Sequence, residues 1–355
     1  MMSLRQDLAS ANAKASKETV DKEKFANWLA KIPKAELHLH IDGSLQAERM
    51  LELAKKNQVE LPYKTLNEIE EAYKFEDLQS FLDLYYLGAS VLRDEEDFYW
   101  LMMDYLTKCR DQNIVHTEIM VEPQTYFPNG VEFKTMMQGF QKALHDAKET
   151  WGQSALLILS FLRHLSEEEA IDTLEKADEF RECFCAIGLA SAEKGNPPNK
   201  FQRLYQMAKE RGYEAIAHAG EEGPADYIWQ SLQQLNVSRI DHGVRCVDDE
   251  GLVSFLVENK VPLTVCPLSN IRLCVYDEMQ QHPILSLLDR GVRVTVNSDD
   301  PTYFGGFLNE NYYALLYELD MTKEQAVALA ENGFKASFLS PERKEGFIHQ
   351  LHAYC

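Results

Sequence analysis

No stretch of this 355-residue chain is apolar over the ~18 residues that a membrane span requires, and its first thirty residues are polar, without a signal peptide's hydrophobic region. A soluble, unexported, cytoplasmic protein is therefore expected. Basic side chains are also scarce. Against 57 Asp and Glu stand 36 Lys and Arg, a formal net charge of -21. Such a surface repels phosphate backbones and anionic lipid, which argues against a nucleic-acid or membrane partner. The seven cysteines are odd in number and scattered, so they read as reduced thiols and not as a disulfide framework. There is no internal repeat, no low-complexity tract, and no helical face that specifies an oligomeric state.

What is present is a regular alternation. Residues 1–24, a mix of Lys, Ala, Asp and Ser with little apolar periodicity, read as a flexible leader, and residues 25–355 as one domain. Within that domain, short apolar or β-branched runs alternate with longer amphipathic stretches. The runs are Ala35–Ile41, Ile114–Val121, Ala155–Leu162, Cys185–Leu189, Glu214–Ala219, Arg239–His242, Pro262–Cys266 and Val292–Val296. Eight near-continuous apolar strands predict a closed parallel (β/α)8 barrel, with an open doubly wound sheet as the competing architecture. Helical patterns between Ala47 and Arg110 predict an insertion after the first strand, and those near Lys323–Phe338 and Arg343–Ala353 predict extra C-terminal helices.

The chemistry-bearing residues fall at the C-terminal ends of the predicted strands, the catalytic face of such a barrel. His38 and His40, two apart in "HLHIDGS", point to one face of a strand and can share one metal ion. His218 ends "IAHAGEEG", with Glu221 three residues on; His242 ends "RIDHG"; Asp299 and Asp300 follow "VTVNS". Taken singly, each has a plainer reading: histidines on a half-exposed strand, a helix-capping Glu, a satisfied core His, an Asp-Asp-Pro turn. Their conjunction on separate strand ends points instead to a metal site. His38, His40, His218 and Asp299 supply three imidazoles and a carboxylate, a donor set suited to zinc or another borderline divalent ion, which would acidify a bound water. The fourth strand end, "GLASAE", carries no Lys that could bridge two metals, so a single ion per subunit is expected. The H-x-E of His116 and Glu118 lacks the P-C-x-x-C partner of the nucleic-acid deaminases. Arg163 and His164 are placed at the mouth of the site.

The segments "PKAELHLHIDGS", "SFLRH", "HAGEEGP", "IDHGVR", "CPLSN" and "VNSDDP" together resemble the adenosine/adenine deaminases of the metal-dependent hydrolase superfamily. The stretches "YKFEDLQSFLDLYY" and "NSDDPTYFGG" are most similar to the bacterial and fungal members that act on free adenine. The resemblance implies zinc on His38, His40, His218 and Asp299, proton donation to purine N1 by Glu221, water deprotonation by His242, and a hydrogen bond from Asp300 to N7. It implies hydrolysis of adenine to hypoxanthine and ammonia, with a small purine as the partner. Ser191, where nucleoside-specific members carry Gly, favours the base. Asp42 matches the residue that binds a ribose hydroxyl and favours adenosine or an N6-substituted adenine. A non-catalytic purine-binding protein on the same barrel would be expected to have lost a ligand or the Glu221/His242 pair, and all are present.

Overall fold

Strands buried on both faces must be apolar almost throughout, and helices must cover them. The computed structural model, which describes residues 20–355, has that organisation. Its strands are β1 (Lys34–His40), β2 (Ile114–Val121), β3 (Ser154–Leu162), β4 (Phe184–Ala190), β5 (Glu214–Ala219), β6 (Arg239–His242), β7 (Pro262–Val265) and β8 (Arg293–Val296). They pair in parallel in sequence order. The circle closes where the segment after β8 meets β1: His40 N–H donates to the Asp299 carbonyl at 3.0 Å, and Asp299 N–H to the His38 carbonyl at 3.1 Å. The architecture is thus the (β/α)8 barrel, and the open sheet is excluded. The seam of the barrel runs through three of the expected ligands.

Met120, Ile158, Ala186 and Ile216 fill the barrel interior, while a larger apolar layer packs between the strands and the surrounding helices. Four helices, Ala47–Lys56, Leu66–Ala72, Leu78–Ala89 and Glu95–Asp111, form the insertion between β1 and β2. Helix Leu78–Ala89 buries a wide apolar face, Phe81, Leu82, Leu84 and Tyr85 included, and leaves Gln79 and Asp83 exposed. Asp77 caps its first turn, accepting from Ser80 N–H at 2.9 Å. The C-terminal helix Lys323–Ala336 packs on β1 and β8, over the seam, and Pro341–Tyr354 follows it. Of the leader 1–24, residues 1–19 lie outside the described residues; 20–24 belong to a helix that continues to residue 29.

At the end of the barrel opposite the histidines, Arg239 is fully buried and ties several elements together. It donates to Glu118 Oε2 at 2.5 Å, to the Leu37 carbonyl at 3.1 Å and to the Ala336 carbonyl at 3.4 Å. His116 is part of the same layer, bonded to Ser154 Oγ at 2.7 Å and 3.4 Å from Glu118 Oε1. Its H-x-E is structural. Replacing one partner of a buried ion pair strands the other charge at a cost of about 3–5 kcal/mol. Arg239→Met is therefore expected to destabilise the fold by about that amount in chemical denaturation; a loss below about 1 kcal/mol would show that the pair contributes little.

Candidate active site

Each strand end delivers its residue inward, and three of them do so in a conformation that side chains rarely adopt. Ser191 after β4 has φ 76°, His242 at the end of β6 has φ 60°, and Asp299 after β8 has φ 63°. Non-glycine residues persist in the left-handed region only where the surroundings hold them, and such positions concentrate at functional sites. His38, His218, His242 and Asp299 bring one nitrogen or oxygen each to within 4.8 Å of one another, and His40 meets Asp299 and Asp300 in a second such group. The expected metal ligands, with His242 and Asp300, are thus drawn into one buried cluster.

The direction of each ring follows from its outer nitrogen. Thr264 Oγ–H donates to Asp241 Oδ1 at 2.7 Å, so its oxygen is left to accept from His38 Nδ1 at 3.0 Å, and the Thr264 carbonyl at 3.2 Å also can only accept. Nδ1 of His38 therefore carries the proton, and Nε2 is a bare lone pair that is buried without a partner. In the same way His40 Nδ1 is held by Glu122 Oε1 at 2.8 Å, and His218 Nδ1 faces Asp241 Oδ2 at 3.3 Å. Both then present Nε2 inward, and these two atoms stand 3.1 Å apart. At that distance either one nitrogen donates a proton to the other or a metal ion takes the proton's place; burial would lower His40, but Glu122 and Asp300 outweigh it and raise it well above the usual imidazole range, so it is the donor when no metal is bound.

The spacing tests the fit of such an ion. Two donors about 2.0–2.1 Å from one tetrahedral metal stand about 3.3 Å apart. His40 Nε2 and His218 Nε2 are 3.1 Å apart, His38 Nε2 and Asp299 Oδ1 3.3 Å, and His40 Nε2 and Asp299 Oδ1 3.4 Å. His38, His40, His218 and Asp299 accordingly suit a divalent metal ion. His242 is different. Its Nε2 lies 3.7 Å from Glu221 Oε2 and 3.8 Å from Asp299 Oδ2, between the cluster and the acid.

Burial drives the carboxyl groups apart in acidity. Burial alone would raise Asp299, but His38, His242 and His40 outweigh it and hold that carboxyl well below the usual range. Burial raises Glu221 well above that range, and the charges of Asp299 and Glu193 add to it. Asp300 is likewise pushed well up, by burial and by Asp299 and Glu122. Burial also lowers His242, helped by His38, so its imidazole is neutral at pH 7. One ionised carboxylate, two carboxylic acids and a neutral imidazole share a few ångströms.

Several residues that complete the site were not anticipated. Glu122 and Asp241 orient the rings. Glu193 accepts four backbone N–H groups of the Gly220–Gly223 turn, at 2.7, 3.1, 2.9 and 2.7 Å, and so fixes the loop that carries Glu221. Gly223 is required there, since a Cβ would come within 2.7 Å of the Glu193 carboxyl. Arg163 does not line the mouth; it is buried and donates to the His218 carbonyl at 2.7 Å, bracing a ring from behind. His164 Nδ1 instead reaches Ser191 Oγ at 2.8 Å. Ser191 lines the cavity, a narrow space of about 40 Å3. Asp42 is buried beside it, bonded by Tyr85, and is not among the lining residues. Outer acceptors of this kind typically tighten metal binding 10–100-fold. Glu122→Ala is thus expected to weaken divalent-metal affinity by about that factor in chelator competition, with the fold intact; an unchanged affinity would remove Glu122 from that role.

Among the described residues no helix is long and apolar enough to cross a membrane. The adenosine deaminase family model matches residues 33–354. A protein from Hahella chejuensis named adenine deaminase is 52% identical over 328 residues, covering 92% of this chain and 98% of its own. One from Wolinella succinogenes of the same name is 54% identical, covering 91% and 98%. The crystal structure of an adenine deaminase from Arthrobacter aurescens superposes with a TM-score of 0.89 at 46% identity, over 91% of this chain and 99% of that one. The barrel, its converging strand ends and the match across nearly the whole chain lead to one conclusion: this protein belongs to the adenosine deaminase family.

Proposed function

We propose that the protein is a zinc-dependent adenine deaminase that hydrolyses adenine to hypoxanthine and ammonia with one zinc ion per subunit. The observation that carries this reading is the splitting of acidities around a single metal-competent cluster: a raised Glu221 and a lowered His242 stand 3.7 Å apart at its edge. Relatives named adenine deaminase at more than half identity support the base as substrate. Three imidazoles and one carboxylate favour zinc among the common divalent ions. The ion, when bound, supplies Lewis-acid chemistry that brings the pKa of a coordinated water towards neutrality.

The residues of the chain divide the remaining work. Neutral Asp300 donates to purine N7, which an ionised carboxylate could not do, and fixes the ring plane. Neutral Glu221 faces N1. His242, uncharged, takes a proton from the attacking water as its oxygen bonds to C6. That carbon becomes tetrahedral, and the electron pair displaced from the C6–N1 double bond is met by the Glu221 proton at N1. As the C6–N6 bond breaks, His242 returns its proton to the departing nitrogen and the C6 hydroxyl proton passes to the Glu221 carboxylate, which releases ammonia, leaves the 6-oxo purine and restores both groups. Glu193 acts through position alone, since it holds the backbone that presents Glu221.

Ammonia release with adenine, adenosine and N6-methyladenine tests the substrate. The account predicts a kcat/KM for adenine about 100-fold or more above either rival, a difference of about 3 kcal/mol in transition-state binding. A preference for adenosine would overturn the assignment to the base. Glu221→Gln keeps size but cannot donate a carboxylic proton, and should lower kcat by about 10²–10⁴-fold with the metal content unchanged. Near-normal turnover in that variant would exclude Glu221 as the acid.

A further inference from the structure

Two adjacent tyrosines on helix Leu78–Ala89 line the cavity, and each hydroxyl is engaged. Tyr85 donates to Asp42 Oδ2 at 3.2 Å, and the Tyr86 hydroxyl bonds Ser191 Oγ at 2.9 Å. Tyr85, Tyr86 and Ser191 line the cavity; Asp42, 1% exposed, lies behind Tyr85. The Tyr85 ring is itself fixed by packing, with Phe81 at 5.4 Å and Tyr303 at 6.1 Å between centroids. The turn that bears Asp42 is pressed against the floor of the pocket: a Cβ on Gly43 would fall 2.0 Å from Asp300 Oδ1.

The order of atoms in a purine links these contacts to specificity. With N1 at Glu221 and N7 at Asp300, N9 is the next ring nitrogen outward on the Asp300 side, where the Asp42 turn and Tyr85 stand. N3 is the next outward on the Glu221 side. We propose that Tyr85 and Tyr86 are specificity-determining residues that close the outer edge of the pocket, Tyr85 on the N9 side and Tyr86 towards N3, and so reject purines substituted at N9; this rests on the adenine reading above. A sugar could reach Asp42 only by displacing Tyr85 from it, which strands a buried phenol. On this placement a methyl group on N9 is directed at the Tyr85 ring.

The test compares kcat/KM for adenine and 9-methyladenine in the zinc-loaded wild-type protein, Tyr85→Leu, Tyr86→Leu and Tyr85→Phe. Wild type is expected to act on adenine and to discriminate strongly against 9-methyladenine. One group more or less in a pocket changes discrimination by about 10–200-fold, so Tyr85→Leu should reduce the preference by about tenfold or more, and Tyr86→Leu should reduce it in the same direction. Tyr85→Phe keeps the ring and loses only the bond to Asp42. It should give a smaller loss of preference, and it serves if the leucine variants do not fold. An unchanged preference in folded Tyr85→Leu, or in Tyr85→Phe if it alone folds, overturns the inference and leaves the adenine assignment standing. A wild-type protein inactive on adenine overturns that assignment and the inference with it.

Discussion

The arrangement depends on the outward polar contacts of three imidazoles. Thr264 and Glu122 hold Nδ1 of His38 and His40, and Asp241 faces His218 Nδ1 at 3.3 Å, so the Nε2 atoms of all three rings point inward. Nothing about histidine fixes that choice. Were the same rings to face the other way, the pocket would lack these nitrogens, and no cation would be bound. Asp241 serves two of the three rings: it faces His218 Nδ1 at 3.3 Å and accepts from the Thr264 hydroxyl that accepts from His38. A single carboxylate, buried in β6, thus couples the donors of β1 and β5.

The acid–base groups follow from that core. A carboxylate kept ionised by imidazoles, as Asp299 is, repels further negative charge in a buried space, so its neighbours Glu221 and Asp300 hold their protons. Those protons are what the proposed function requires at N1 and N7 of the purine. Rigidity supports the arrangement on both sides. The Glu193 carboxyl gathers four N–H groups under Glu221, and the closure of the barrel between β1 and the segment after β8 sets Asp299 against His38 and His40. Helix Leu78–Ala89 then covers the mouth with tyrosines whose hydroxyls are already engaged.

Much of this was legible in the residues. All eight strands fall within a residue or two of the apolar runs, because strands buried on both faces leave a continuous signature. The inward residues of β1, β5, β6 and β8 stood out since His and paired Asp at such strand ends are uncommon. Glu122 obeys the same rule, directly after the β2 run, yet a lone Glu before Pro reads as an ordinary turn. Asp241 was hidden within an apolar strand beside the more conspicuous His242. Glu193, in "SAEKG", has the look of a surface loop, and only its four backbone donors, contributed from β5 onward, reveal what it does. Asp42, beside the ligand strand, suggested a sugar contact; its bond from Tyr85, 43 residues on in the chain, had no signal in the sequence. Long-range partners of this kind leave no local pattern.

The most direct test of the account is the metal content of the purified protein, by elemental analysis after exhaustive dialysis against metal-free buffer. One zinc ion per chain is predicted, lost together with activity when a strong chelator is added and restored with activity when zinc is returned. Two tightly held ions per chain, or full activity in metal-free protein, would contradict it.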